Sequence, residues 1–128
     1  MKPRLLVIDD DRWFAEALMA SLRARYTAEW VAAAQPAAEL LDDSARRPDV
    51  IILDMLMPDG NGLAFLQELR SYADTARLPV ILCSSLRLER QAGALAQLGI
   101  RHIFNKATIT LAELERAVAD SLRVAAHA

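Results

Sequence analysis

A chain of 128 residues, 54% of them hydrophobic and 25% charged, has the composition of one soluble globular domain with its own core. The formal net charge of −2 argues against a nucleic-acid-binding surface, and the single cysteine excludes an internal disulfide, as expected in a reducing compartment. The apolar runs are too short to cross a bilayer and no signal peptide is apparent, so we predict a cytoplasmic protein without membrane contact.

Five short apolar segments are predicted to be strands: Leu5–Ile8, Ala28–Ala32, Val50–Leu53, Val80–Cys83 and His102–Phe104. Apolar residues at helical spacing predict five helices, which begin near Arg12, Pro36, Leu63, Leu88 and Thr110. The second is expected to end near Arg46, the third near Ser71 and the fourth at Leu98, before Gly99. Asp11 is the predicted N-cap of the first helix, and a capping box from Thr110 to Glu113 opens the last.

Strands and helices therefore alternate along the whole chain. This alternation predicts an α/β fold, a doubly wound five-stranded parallel sheet with five helices on both of its faces. The sequence contains no repeat, linker or low-complexity segment. We therefore expect a single domain over residues 1–124, followed by a frayed tail at residues 125–128.

Polar side chains follow four of the predicted strands at their carboxyl ends. Asp9 and Asp10 follow the first strand, Asp54 the third, Ser84 the fourth and Lys106 the fifth. Because parallel strands bring their carboxyl ends to one edge of the sheet, where open α/β folds bind ligands, we expect one site there. A simpler interpretation is that Asp54 only opens a turn and the acids at 9–11 only favour a helix start. That interpretation accounts less well for Asp9 and Asp10.

The combination of groups at this edge points to a particular chemistry. Three carboxylates repel one another unless a cation lies among them, and Mg²⁺ takes a few carboxylate oxygens while keeping water in its other positions. An ammonium group adds a mobile positive charge, and a hydroxyl adds a donor for a phosphoryl oxygen. Carboxylate, metal, ammonium and hydroxyl are the groups needed for phosphoryl transfer to an aspartate.

At this point the residues resemble a known family, the response-regulator receiver domains of two-component signalling, which are CheY-like. The resemblance covers essentially the whole chain and rests on four segments in the expected order: Val7-Ile8-Asp9-Asp10, Asp54 with Met57-Pro58-Asp59-Gly60 and Gly62, Leu78-Pro79-Val80 with Ser84, and Lys106. It implies a flavodoxin-like sheet with strand order 2-1-3-4-5. Four matches on the right topology are far more specific than any one of them.

The resemblance also implies roles for the acidic residues. Asp54 would be the phosphoryl acceptor. Asp10, Asp54 and the backbone carbonyl of Leu56 would hold Mg²⁺, with Asp9 acting largely through water. The domain would catalyse only its own phosphorylation and slow self-dephosphorylation, which makes it a signalling phosphoprotein and not an enzyme.

Ser84 and Lys106 would contact the phosphoryl oxygens, with Ser85 the less favoured hydroxyl. The phosphoryl donor would be a histidine kinase or a phosphotransfer protein, and the output protein is unknown. Phosphorylation would draw Ser84 inward and change the surface formed by the fourth helix, the fifth strand and the fifth helix. That surface is also a candidate homodimer contact.

Three positions depart from the family pattern: Ala107, Ile103 and Asn61, the last of which stands where an acid is frequent. Ala107 follows Lys106 where the family commonly has a cis-proline, and we expect a trans bond because a non-proline cis bond costs about 3 kcal/mol. Ile103 occupies a switch position that is often aromatic. Leu56 and Leu86 lie at the positions best placed to orient a hydrolytic water, and their apolar side chains predict slow dephosphorylation.

Two alternatives to a phosphorylated receiver remain open. A degenerate receiver would act as an interaction module without phosphorylation, although the acidic, hydroxyl and lysine set is intact. A phosphatase acting on outside substrates would need a second acid two residues after the nucleophile, where Leu56 stands. Trp13, early in the first helix, is expected near the acidic pocket and would report metal binding.

Overall fold

A computed structural model describes residues 2–85 and 87–126 of the chain. Five strands form a parallel sheet: β1 (Arg4–Ile8), β2 (Thr27–Val31), β3 (Val50–Leu53), β6 (Val80–Ser84) and β7 (His102–Asn105). Their order is β2-β1-β3-β6-β7. This is the predicted order 2-1-3-4-5, because two additional short strands take the numbers β4 and β5.

The helices follow the strands in the predicted alternation: α1 (Arg12–Leu22), α2 (Ala34–Asp42), α3 (Gly62–Ser71), α4 (Ala92–Gln97) and α5 (Leu111–Ala126). Asp11 caps α1 by accepting a hydrogen bond from the Phe14 amide, as predicted. The Thr110 and Glu113 side chains form the predicted capping box of α5. Within the described residues no helix has both the length and the apolarity to cross a membrane.

Buried apolar side chains lie on both faces of the sheet. On one face they pack beneath α2, α3 and α4, and on the other beneath α1 and α5. All four residues of β3 are buried, as expected for the central strand of a two-sided sheet. Cys83 belongs to this core, where burial raises the pKa of its thiol to about 12. It therefore acts as a small apolar side chain.

Two predicted helices differ from their expected bounds. The second ends at Asp42 and not near Arg46, because the backbone of Asp43 turns to an extended conformation. The segment from Leu88 to Leu98 is a 3-10 turn at Glu89–Gln91 followed by a short α4. Helix α4 contains a glycine and buries only Leu95, so its propensity and packing are both weak.

A short hairpin follows β3, in a segment that the sequence predicted only as a turn. Strands β4 (Leu56–Met57) and β5 (Gly60–Asn61) pair antiparallel, and the intervening Pro58-Asp59 forms the turn. The Asn61 side chain then caps α3 by accepting from the Ala64 amide at 2.7 Å. The predicted trans bond before Ala107 is also present, since the described residues contain no cis peptide.

Asp59, at the hairpin turn, caps a helix that is distant in sequence. Its two carboxylate oxygens accept from the Ala34 amide at 2.9 Å and the Gln35 amide at 3.0 Å, at the start of α2. The helix has no cap of its own at Ala33. These two bonds lower the pKa of Asp59 below its ordinary value of 3.8. Asp59 thus ties the loop beside the sheet edge to α2.

We expect Asp59→Ala to lower the midpoint of thermal unfolding at pH 7, because it removes both cap bonds. The Asp59 pKa is lower in the folded state, so its stabilisation is present above the ordinary value and lost as pH falls through the folded value. The difference between wild type and variant should therefore shrink below about pH 3.8. Glu39→Gln, an exposed acid on α2, is the control in calorimetric scans. A difference that does not depend on pH would contradict this assignment.

Candidate functional site

Adjacent strands carry the predicted site residues to one edge of the sheet. The register pairs Ile8 of β1 with Leu53 of β3, so the next residues, Asp9 and Asp54, emerge side by side. The Asp54 amide donates to the Ile8 carbonyl at 3.0 Å and extends this pairing. Both side chains are buried, with exposures of 2% for Asp9 and 3% for Asp54.

Lys106 joins these two carboxylates. Its ammonium nitrogen lies 2.7 Å from Asp9 Oδ2 and 2.9 Å from Asp54 Oδ2, and the Lys106 side chain is only 12% exposed. Burial alone lowers the pKa of Lys106, but hydrogen bonds and charges from both aspartates outweigh it and the net shift is upward. A cation held between two buried carboxylates removes much of their mutual repulsion.

Backbone amides also bind both carboxylates, and Lys106 shares Asp9 Oδ1 with one of them at 2.8 Å. The Asp11 amide donates to Asp9 Oδ1 at 2.9 Å, and the Leu56 amide donates to Asp54 Oδ1 at 3.1 Å. Burial raises the pKa of Asp9, and the bonds from Lys106 and the Asp11 amide only partly offset this effect. The two buried acids are therefore held in fixed orientations.

Two aromatic residues complete this arrangement, in roles that no sequence pattern indicated. The Trp30 indole nitrogen, from β2, donates to the Asp9 carbonyl at 2.7 Å. The Lys106 ammonium lies 4.8 Å from the centre of the Phe14 ring, within cation–π range. Phe14 was identifiable only as an apolar position of α1, and Trp30 only as a residue of a weak strand.

Asp10 is exposed and completes a group of three acids. Carboxylate oxygens of Asp9, Asp10 and Asp54 all lie within 4.8 Å of one another. Oxygen-only donors that leave space for water suit a hard divalent ion such as Mg²⁺. The donor set of these three acids therefore fits the predicted metal.

The remaining predicted residues differ widely in burial. Ser84 is fully buried at the end of β6, where its carbonyl accepts from the Lys106 amide at 3.0 Å. Leu56 is 48% exposed and Ile103 is 42% exposed. Trp13 lies in the first turn of α1, with 83% of its surface exposed. Leu86 lies outside the described residues.

Gly62 allows the loop after β3 to pack close to the site. Its amide donates to the Met55 carbonyl at 2.8 Å. A Cβ atom at this position would lie 2.7 Å from the Met55 Cα, closer than real contacts allow. Any larger residue would therefore displace the backbone next to Asp54.

The site and fold agree with what comparison to known proteins finds. A model of the response regulator receiver domain family matches residues 5–119. The chain belongs to this family. The resemblance noted from the sequence is therefore confirmed, and this chain is a response regulator receiver domain.

Curated relatives include response regulators named MprA. The protein from Mycobacterium sp. (strain KMS) is 39% identical over 94 residues, which are 73% of this chain and 40% of that protein. The protein from Mycobacterium bovis (strain BCG / Pasteur 1173P2) is 38% identical over the same length. The chain thus spans well under half the length of these relatives.

Solved structures that superpose on this chain include receiver domains. The signal receiver domain of a putative Luxo repressor protein from Vibrio parahaemolyticus superposes with a TM-score of 0.86 at 25% identity, covering 98% of this chain and 93% of that one. A response regulator receiver protein from Pseudomonas putida gives 0.84 at 26% identity, covering 94% and 98%. The predicted flavodoxin-like fold is confirmed.

Proposed function

We propose that this receiver domain accepts a phosphoryl group on Asp54 from a histidine kinase or a phosphotransfer protein, in a Mg²⁺-dependent reaction. The observation that carries this proposal is the position of Asp54 beside both the Lys106 ammonium group and two other acids. Lys106 lies 2.9 Å from Asp54 Oδ2, and Asp9 and Asp10 bring further carboxylate oxygens within 4.8 Å. Catalysis of phosphoryl transfer is mostly positioning and charge neutralisation, which this arrangement can supply.

In the proposed step, a carboxylate oxygen of Asp54 attacks the phosphorus of a phosphohistidine. The new P–O bond forms as the P–N bond breaks, and the imidazole leaves with the bonding electrons and takes up a proton. The Leu56 amide fixes the orientation of the Asp54 carboxylate. Lys106 and Ser84 then contact the phosphoryl oxygens, which requires the flexible lysine stem to move from carboxylate to phosphoryl group.

The proposed metal ligands are Asp10, Asp54 and the Leu56 carbonyl, with Asp9 acting largely through water. Mg²⁺ would neutralise charge on the transferring phosphoryl group. Asp10 suits direct ligation because it is the exposed member of the group, whereas Asp9 is engaged by Lys106 and the Asp11 amide.

The proposed output is a change in the surface of α4, β7 and α5. Ile103 and Leu111 expose apolar side chains, and both residues belong to this surface. Such side chains suit contact with an output protein or with a second copy of the domain. We propose a cytoplasmic location, and no direct nucleic-acid contact by this domain. The phosphorylation-independent alternative is not favoured, because the acids and Lys106 form a complete, connected site.

Mass spectrometry after incubation with acetyl phosphate and Mg²⁺ tests the phosphorylation proposal. We expect one added phosphoryl group on wild type and none on Asp54→Ala. Asp59→Ala, which alters an acid in the same loop outside the group of three, should still be modified. An unmodified wild type, or an equally modified Asp54→Ala, would refute the proposal.

The metal assignment has a separate test. Asp10→Ala should weaken Mg²⁺ binding in calorimetry by about tenfold or more, because it removes a carboxylate ligand. Asp42→Ala, an exposed acid on α2, is the matched control. Tryptophan fluorescence should follow the titration, and Trp13→Phe and Trp30→Phe will identify which indole responds. Equal affinity in wild type and Asp10→Ala would remove Asp10 from the site.

A further inference from the structure

A pocket lies at the edge of the sheet opposite the aspartates. Its volume is about 360 Å³, and it opens where β6 and β7 begin. The end of α4, at Leu98 and Gly99, forms one wall, and the last turns of α5 form another. Pockets that hold small ligands start at about this size.

The charge of this pocket is opposite to that of the whole chain. Three arginines, Arg70, Arg77 and Arg101, line it, and no aspartate or glutamate is among its lining residues. The chain as a whole has a formal charge of −2. Three guanidinium groups gathered in one concave surface create a local field that attracts anions.

Few protein groups neutralise these arginines. Arg70 donates three hydrogen bonds to backbone carbonyls, at Leu98, Thr75 and Leu78, and pairs with no carboxylate in the described part of the chain. Arg77 is exposed, and no described residue bonds it. Arg101 lies 3.5 Å from an Asp120 oxygen that also contacts His102.

Ser121 adds a hydroxyl to the lining of this pocket. The residue is only 7% exposed and lines the pocket from α5. A ligand oxygen in the pocket would accept a hydrogen bond from this hydroxyl.

We propose that this pocket binds a small phosphate-bearing anion. Arg77, Arg101 and the Ser121 hydroxyl would donate to the phosphate oxygens, and Arg70 would add positive charge. A phosphate fits better than a single carboxylate because its several oxygens can accept from several donors at once. Pro79 and Val124 supply an apolar wall for the rest of the ligand. This site is separate from Asp54 and does not rest on the proposed phosphorylation.

Binding at this position would connect two elements of the proposed output surface. The pocket joins the end of α4 to α5, so a bound anion would link them through Arg101 and Ser121. A ligand that binds only the folded state also raises its stability. A small anion bound in this pocket would thus affect the output surface from the side of the sheet opposite Asp54.

The test is a titration of the isotope-labelled domain with inorganic pyrophosphate in EDTA, followed by amide NMR, with sodium chloride of equal ionic strength as reference. We expect saturable shifts at Gly99, Arg101 and Val124, distinct from any at Asp54. Arg77→Ala should weaken this binding by about tenfold, the effect of losing one charge-assisted hydrogen bond. Because Arg77 makes no bond within the described residues, the variant should remain folded.

Arg90→Ala removes an exposed arginine in the turn before α4 and is the matched control, which should bind as wild type does. Ser121→Ala should also weaken binding. The proposal is overturned if pyrophosphate shifts only amides around Asp54, or if Arg77→Ala and Arg90→Ala bind it equally.

Discussion

Lys106→Ala should lower the free energy of unfolding of the metal-free protein by about 3 kcal/mol, the lower range for breaking a buried ion pair. The ammonium lies within 3 Å of oxygens on both Asp9 and Asp54, and these acids are almost completely buried. Without it, two like charges face each other in a site with little water. The cost therefore comes from the carboxylates left behind and not from the lysine itself.

Denaturant unfolding in EDTA measures this loss, and Lys106→Met separates charge from packing. Methionine keeps an apolar stem beside Phe14 but carries no charge. The Lys106→Met protein should therefore be destabilised almost as much as the Lys106→Ala protein. Adding Asp9→Asn to Lys106→Met should recover part of the loss, since it removes one of the opposing charges. Wild-type stability in Lys106→Met would show that the ion pairs contribute nothing.

Lys106 also changes the effect on stability that is expected when a single acid is removed. From the sequence, three acids at one sheet edge are expected to repel, so that removing one stabilises the metal-free protein. The structure places Lys106 between Asp9 and Asp54, which offsets that gain for these two. Asp10 is exposed outside this pairing, and Asp10→Asn remains the substitution most suited to raise stability.

The grouping of the site residues at one edge of the sheet could be predicted, because it depends only on the order of strands and helices along the chain. Apolar runs located the strands, and parallel connection then placed Asp9, Asp54, Ser84 and Lys106 together. A run of apolar residues determines where a strand begins and ends. A polar residue directly after the run must therefore lie at the carboxyl end of that strand. Strands β6 and β7 each extend one residue beyond their predicted ends, so Ser84 is the last residue of β6 and does not follow it.

Contacts between distant segments could not be predicted in this way. The partners of Asp59 are amides about 25 residues earlier in the chain, and the Trp30 indole reaches a carbonyl 21 residues away. Helical periodicity predicted one continuous fourth helix because Leu88, Leu95 and Leu98 have suitable spacing. It could not show that the segment before Ala92 forms a 3-10 turn.

The arginine pocket could not be predicted from the sequence either, because its residues come from distant segments of the chain. Arg70 comes from α3, Arg77 from the loop before β6, and Arg101 from the residue before β7. In the sequence they are unrelated charges spread over 32 positions, and each alone is an ordinary surface arginine. Only the folded chain brings them to one pocket with the buried Ser121.

The phosphorylated protein should lose its phosphoryl group slowly. Hydrolysis of an aspartyl phosphate needs a water in line with the P–O bond, on the side away from Asp54. Leu56 is half exposed next to the site, and its apolar side chain cannot hold a water by hydrogen bonding. Leu86, the other position expected to orient water, is also apolar. The water would thus have no side-chain acceptor at either position.

Leu56→Asn combined with Leu86→Glu should accelerate the decay by about tenfold or more, because a positioned nucleophile removes much of the entropic barrier. The phosphorylated fraction is followed by mass spectrometry after removal of acetyl phosphate, with Mg²⁺ kept constant. Leu56→Asn alone tests the contribution of the half-exposed leucine beside Asp54. Leu111→Asn makes the same chemical change at an exposed leucine at the start of α5 and should decay as wild type does. If wild type loses its phosphoryl group as fast as the double variant, loop motion admits water regardless of these side chains, and the two leucines do not set the lifetime of the signal.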